Sequence, residues 1–449
     1  MSVLNTKPQP IHTHEGAVAQ RVNPEQQLRR SVCACLLWEN TFYEEGVSIA
    51  DRIEQEVKLA KPDVVAQLAI DAREQYKLRH VPLILAVSLA RQGLLEKDVL
   101  ARIIQRPDEL CEFLAIYWKD GKCSLAGQVK KGLASAFQKF DAYQLAKYNR
   151  PNAIKLRDVL FLCHAKPKDG EQAGIWKKLV DGTLESPDTW EVNLSDGKDK
   201  KETWKRMLRE NKLGALALLR NLRNMKDVKV EESLIFAGLE SMRVDRVLPF
   251  RFIAAARYAP QWESQIERAM LRCLSLQDKL HGKTIFIVDV SGSMYGSEIS
   301  NYSEMDRVNV ACSLAILIRE ISENPVIYAT AGNDYKRVHA TKQVPARHGF
   351  ALSDAIYQMC KPLGGGGIFL KQVCDFIKSK EESADRIIVI TDEQDCDIDT
   401  SPLSADAFGK YNYLINVASC RNGIGYGKWT HLDGFSESIL KYIKEYEAL

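Results

Sequence analysis

From Asn23 onward, apolar residues recur three and four positions apart for about 250 residues, and at His281–Gly282 that rhythm gives way to short β-rich runs. The first rhythm belongs to amphipathic helices and the second to strands, so the chain must fold as two differently built parts. Asn23 suits a helix N-cap and Pro24 the first helical position. Leu28, Val32, Cys35 and Leu36 then fall on one face, and Ile49, Ile53 and Val57 mark a second helix that stops before Pro62. The segments LILAVSLARQG, VLARIIQ, ELCEFLAIYW, LAGQVKKGLASAFQKF, AYQLAKY, IKLRDVLFLCHA and IWKKLV continue the pattern. After a polar stretch around residues 186–201 it resumes as TWKRMLRE and runs to WESQIERAMLRCLSLQ. A chain of short helix pairs predicts an α-solenoid, in which each pair packs on its neighbours. No fixed period is present, so the repeats are degenerate and HEAT-like, with a compact helical domain as the alternative. Residues 1–22, with Pro8, Pro10 and Gly16 and no periodicity, are expected to be a flexible segment.

Beyond Gly282, TIFIVDV, NPVIYATAG, RIIVITDEQD and NYLINVAS read as strands. The stretches 306–321, FALSDAIYQMC and SESILKYIKEYEAL read as helices between and after them. Such alternation predicts a parallel sheet covered on both faces. The expected division is a helical domain over 23–282 and an α/β domain over 283–449.

Composition narrows the function classes. No apolar run approaches the roughly 20 residues of a membrane helix, and the polar N-terminus has no signal core. Eleven cysteines show no CxxC spacing and several sit in apolar helical patterns, which points to reduced thiols and a cytoplasmic protein. A net charge of +3 does not by itself imply nucleic acid, so that argument rests on where the charge lies.

Two constellations carry chemistry. In the first, Asp289, Ser291 and Ser293 follow a buried strand, where open α/β sheets bind their ligands. One carboxylate and two hydroxyls at alternating positions suit a hard divalent cation, Mg²⁺ above all. Asp392, at the end of RIIVIT, adds a carboxylate from a second strand end. This Asp-x-Ser-x-Ser pattern resembles the metal-ion-dependent adhesion site of von Willebrand factor A domains. Those domains also use a Thr from a glycine-rich loop. Here the loop is LGGGGIFL, and Gly367 or a neighbour stands where the Thr is expected. A strand-to-turn junction that only bends and caps is the bland alternative.

The second lies between Leu125 and Lys168. Its basic residues are Lys130, Lys131, Lys139, Lys147, Arg150, Lys155, Arg157, Lys166 and Lys168, against only Asp141 and Asp158. On a solenoid such residues can line one face and meet a phosphate backbone, with Tyr143, Tyr148 and His164 available for stacking or hydrogen bonding. Most charge runs are simply solvated faces.

Three segments together carry a wider resemblance: THEGAVAQRVNPEQQLRRSVCACLLWENTFYEEG, KYNRPNAIKLRDVLFLCHAKP, and DVSGSM with TDEQ. They resemble the Ro autoantigen family, more closely its bacterial and phage-carried members, across residues 13–449. The resemblance implies a TROVE domain of HEAT-like repeats bent into a ring and closed by a von Willebrand A domain. It implies a cytoplasmic ribonucleoprotein that binds small noncoding Y or Y-like RNAs on a basic surface. It also implies passage of single-stranded ends of misfolded RNAs through the central hole, and in bacteria work with an exoribonuclease. By motif, the family's Lys and His at the hole fall on Lys147 and His164. Its Arg falls on Pro151, with Arg150 beside it. A monomeric RNA scaffold without catalysis is the expectation, since no nucleophile–base pair is present. The alternative is a protein-interaction adaptor whose metal ion grips a partner's carboxylate.

Overall fold

The structure is a computed structural model of the 449-residue chain and describes residues 11–12, 18–21, 23–33, 49–75, 78–244, 247, 250–295, 306–397, 408–418, 422–423, 429–433 and 438–447. Cys35 of the first helical pattern lies outside them. The chain divides into two compact units, Ala50–Lys212 and a second that joins Met1–Ile49 to Leu213–Leu449. The change of rhythm at 282 and the compact units therefore cut the chain at different places.

The Ala50–Lys212 unit is helical. Its elements, with α1 that precedes it, are α1 (Pro24–Cys33), α2 (Ile49–Glu56), α3 (Pro62–Glu74), α4 (His80–Arg91), α5 (Lys97–Ile103) and α6 (Pro107–Tyr117). They continue as α7 (Gly127–Phe137), α8 (Ala142–Tyr148), α9 (Leu156–Leu162), α10 (Gly170–Asp181), α11 (Trp190–Ser195) and α12 (Lys200–Arg209). Each helix packs mainly on near neighbours in sequence, α3 on α4 and α5, α5 on α7, α7 on α9. Ion pairs brace the middle of the unit: buried Arg73 meets Glu109 at 2.7 Å and half-buried Arg79 meets Asp108 at 2.6 Å. The polar stretch 186–201 contains α11 after all. Thr189 caps it by accepting from Val192 N at 3.3 Å, and Trp190 packs on Trp204 at 5.4 Å between ring centroids.

In the other unit α13 (Ala215–Asp227), α14 (Glu232–Ser241), α15 (Phe250–Tyr258) and α16 (Glu263–Ser275) precede the sheet. They group with it because α15 and α16 pack on α17 (Arg307–Ile321), and Glu267 of α16 accepts from Phe350 N at 2.7 Å. The sheet strands are β3 (Leu280–Asp289), β4 (Ser322–Asn333), β5 (Val338–Val344), β6 (Ala384–Thr391), β7 (Gly409–Asn416) and β9 (Thr430–Asp433). Their order is β5-β4-β3-β6-β7-β9. The remaining helices are α18 (Phe350–Tyr357), α19 (Leu370–Lys378) and α20 (Ser438–Glu447). β3 pairs in parallel with β4 and β6, Ile287 opposite both Tyr328 and Val389, and these central strands are buried throughout their inner halves.

Two expectations need correcting here. The sheet is mixed rather than parallel, because β5 runs antiparallel to β4 at the edge. Its residues are exposed or half-buried except Val344, and VHATKQV carries no apolar run for a sequence reading to detect. Within the supposed flexible segment 1–22, β1 (Ile11–His12) and β2 (Val18–Arg21) form strands. β2 pairs with β8 (Asn422–Gly423), a long-range partner invisible to local periodicity.

Candidate nucleic-acid interface and candidate metal centre

The nine basic residues singled out above, and His164, sit on or beside α7–α10. α7 packs on α9, and α10 packs on both α8 and α9. Lys131, Arg150, Arg157, His164 and Lys166 are exposed, while Lys130 and Lys147 are half-buried. The two acids of this window are committed to helix ends. Asp141 caps α8 by accepting from Gln144 N at 2.7 Å, and Asp158 accepts from Lys155 N at 2.9 Å at the start of α9. A carboxylate at a helix N-terminus satisfies amide donors and the helix dipole. Only Arg157 approaches either acid, at 3.8 Å from Asp158. Lys139 is withdrawn from the surface charge, donating to the carbonyls of Ala101 and Ile104 at the end of α5. Among the described residues Lys131, Lys147, Arg150 and Lys166 make no ion pair.

Aromatic rings lie among these cations. The Lys147 ammonium is 5.9 Å from the centroids of both Tyr143 and Tyr148. The Arg106 guanidinium lies 4.5 Å over Tyr148 and is held by Asp108 at 2.6 Å, which pins the end of α8 to the start of α6. His164 follows α9 with φ +51°, a left-handed cap of the kind that closes helices. Gln138 donates to Lys166 O at 2.8 Å and Gln172 donates to Gln138 O at 3.0 Å, so the loop carrying His164 and Lys166 is tied to α7 and α10. Sequence reasoning missed Phe161. It is 60% exposed and lies on α9 one turn after Arg157, on the same side of the helix, three residues before His164. Tyr143 is 53% exposed. Nothing distinguishes an exposed Phe from a core Phe in an amphipathic pattern.

At the carboxyl ends of β3 and β6 the four oxygen-bearing residues come together. Asp289 Oδ1 accepts from Ser291 N at 2.8 Å, Ser291 Oγ and Ser293 Oγ are 3.2 Å apart, and the Ser293 hydroxyl bonds Asp392. Thr391, which the sequence reading passed over, donates to Asp289 Oδ2 at 2.6 Å. Asp289, Ser291 and Asp392 are buried. Desolvation raises the pKa of both carboxyls, and for Asp289 the neighbouring Asp392 charge raises it further; the Ser293 bond and the Arg307 charge moderate Asp392. Two buried carboxylates and two hydroxyls form a hard-oxygen set whose repulsion a divalent cation relieves, so the residues fit such an ion. Among the described residues no cluster of three or more His, Cys, Asp or Glu side chains gathers as a metal site, here or elsewhere, so the set rests on two carboxylates and its hydroxyls.

The glycine loop lies against this set: a Cβ on Gly292 would come 2.8 Å from Gly365 O. A side chain at 367 has no room, since its Cβ would fall 2.0 Å from Cys396 Sγ. The Thr hydroxyl expected from the von Willebrand pattern is therefore sterically excluded at Gly367, whose N–H instead donates to Asp334 Oδ1 at 2.7 Å. Nearby, Asp395 is fully enclosed and accepts from Leu370 N at 3.0 Å and Asp397 N at 3.2 Å. Burial pushes its carboxyl up to about 7.

The TROVE domain family model matches residues 171–362. The crystal structure of the Deinococcus radiodurans Ro (RSR) protein superposes with a TM-score of 0.62, covering 95% of this chain and 99% of that one at 15% identity. That family match spans less than half of the chain, and at 15% identity the structural likeness speaks for a shared fold. An aerotolerance-related membrane protein from Bacteroides fragilis matches 30% of the chain at 15% identity with a TM-score of 0.23, which carries no argument. No curated protein matches the sequence. No described helix of this chain is long and apolar enough to cross a membrane.

Proposed function

We propose that this chain is a TROVE-domain protein that binds RNA through the basic surface of α7–α10. The observation that carries the reading is the use of Asp141 and Asp158 as helix caps, which leaves exposed Lys131, Arg150 and Lys166 and half-buried Lys147 without counter-charge. Lysines and arginines so exposed gain by releasing counterions from a phosphate backbone. Tyr143 and Phe161 offer ring faces to unpaired bases, and His164 offers a ring or a hydrogen bond. The ligands this suits are small noncoding Y-like RNAs and the single-stranded ends of structured or misfolded RNAs. In that role the protein is a cytoplasmic scaffold for RNA quality control that can present RNA to an exoribonuclease, with no chemical step of its own. The described cysteines are free thiols, which suits a reducing compartment.

The test is a mobility-shift or anisotropy titration with a Y-like RNA across salt. Binding should weaken steeply as salt rises, and Phe161→Ala should weaken it several-fold, as expected for loss of one stacked base. Absent or salt-insensitive binding refutes the reading.

The buried oxygen set favours a second activity, a metal-dependent protein-interaction adaptor. Asp289, Ser291, Ser293 and Asp392 would hold Mg²⁺, whose open coordination position would take a partner's carboxylate. A chelator should then abolish capture of a protein partner while leaving RNA affinity unchanged; loss of both together counts against separate roles.

A further inference from the structure

We infer that the unit carrying the sheet holds a second single-stranded RNA subsite, in a cleft between α13 and α15. The inference rests on the RNA-binding reading but on none of its residues. The cleft has a volume of about 480 Å³. Arg220, Arg223 and Asn224 reach it from α13, and Arg251 and Tyr258 from α15, over an apolar floor that includes Leu219. The helices put them there by simple spacing. On α13, Leu218, Leu222 and Met225 are buried, which leaves positions 220, 223 and 224 on the opposite, exposed side. On α15, Arg251 and Tyr258 are two turns apart with small alanines between them.

Three guanidinium groups around one concavity repel one another, and none of the lining residues is acidic. Among the described residues none of the three makes an ion pair or an internal hydrogen bond. Such a cluster is relieved by a polyanion, and the planar arginine fork matches two phosphate oxygens at once. Tyr258, 39% exposed, and the Asn224 amide add what a phosphate alone does not need: a stacking face and a base-edge hydrogen-bonding group. The ligand is therefore a short unpaired ribonucleotide segment with its phosphates on the arginines and one base on Tyr258. An acidic peptide would satisfy the arginines and leave the tyrosine unused.

The experiment is an anisotropy titration of the full chain with a fluorescein-labelled oligouridylate across salt, alongside cross-linking of the same oligomer carrying 4-thiouridine. Arg223→Glu with Arg251→Glu should weaken binding at least tenfold and lower the log–log salt slope by roughly 1 to 2, as expected for the loss of about two phosphate contacts on a single strand. Tyr258→Leu should weaken it several-fold and Tyr258→Phe should not, with a cross-link at Tyr258 in the unmodified chain. Lys378→Glu, an exposed charge change on α19, controls for net charge, and circular dichroism checks that each variant folds. If the Arg223/Arg251 pair misfolds, the Tyr258 variants and the cross-link decide. Wild-type affinity in all cleft variants, with loss only on Lys147→Glu and His164→Ser, overturns the subsite and leaves the first reading standing. An unmodified chain that binds no oligouridylate and no structured RNA removes both.

Discussion

On α8 and α9 charge sits in water on long side chains, whereas at the ends of β3 and β6 it is buried on short ones. The first region gathers cations by diverting its few acids to helix caps. The second gathers oxygens by ending two in-register parallel strands side by side, with Thr391 and the Ser291 amide orienting Asp289. The difference teaches what each can recognise. Flexible surface cations tolerate many shapes of polyanion and are weakened by salt, while a rigid buried set selects one small ion by geometry.

That contrast breaks most visibly on charge reversal. Lys147→Glu with His164→Ser should cost roughly 100-fold in affinity for a Y-like RNA at low salt, since phosphate and stacking contacts are lost together. The same pair should leave any Mg²⁺-dependent rise in melting temperature unchanged; a parallel loss of both would merge the two sites into one. Conversely, Mg²⁺ at about 100 times its dissociation constant should stabilise the chain by about 2.7 kcal/mol in a thermal melt. Asp289→Asn should abolish that gain without moving RNA affinity, and an unaltered Mg²⁺ response would end the metal assignment.

A sharper cut tests the glycine loop. Restoring the missing hydroxyl with Gly367→Thr should destabilise the protein by about 1–3 kcal/mol, because the new Cβ meets Cys396 Sγ at 2.0 Å. Cys396→Ala in the same chain should recover part of the loss, and a neutral Gly367→Thr would mean the loop moves freely. The smallest expected effect is a slope. Asp395 is held protonated up to about 7 by burial, well above its unfolded value near 3.9. Between those values the folded chain binds a proton that the unfolded chain has released, so this residue's contribution to stability falls as pH rises from about 4 to about 7. Asp395→Asn keeps an oxygen for Leu370 N and Asp397 N and should flatten that decline by at most about 1.4 kcal/mol per pH unit, measured by urea unfolding across the range.

How legible each region is in the sequence follows from the same contrast. The strand-end oxygens are close in sequence to an apolar run, so Asp289, Ser291, Ser293 and Asp392 could be read directly. Thr391 could not, because its role depends on the register between β3 and β6. Most helices followed from their 3.6-residue period. β5 and α11 did not, since one is an exposed edge and the other a short polar helix held by a cap and a ring contact. The basic window was visible as a composition bias, but which cations stay available depends on where Asp141, Asp158 and Lys139 spend their hydrogen bonds. The α13–α15 cleft left no local signal, because Arg220 and Arg251 belong to separate helices that only packing brings together.

His164 occupies a backbone region that glycine adopts with least strain. Replacing its imidazole by a hydrogen atom would relax the turn while erasing the ring. Under the proposed RNA role, conformational comfort and ligand grip thus pull in opposite directions at one codon, so a chain shaped for durability alone would not keep a histidine there.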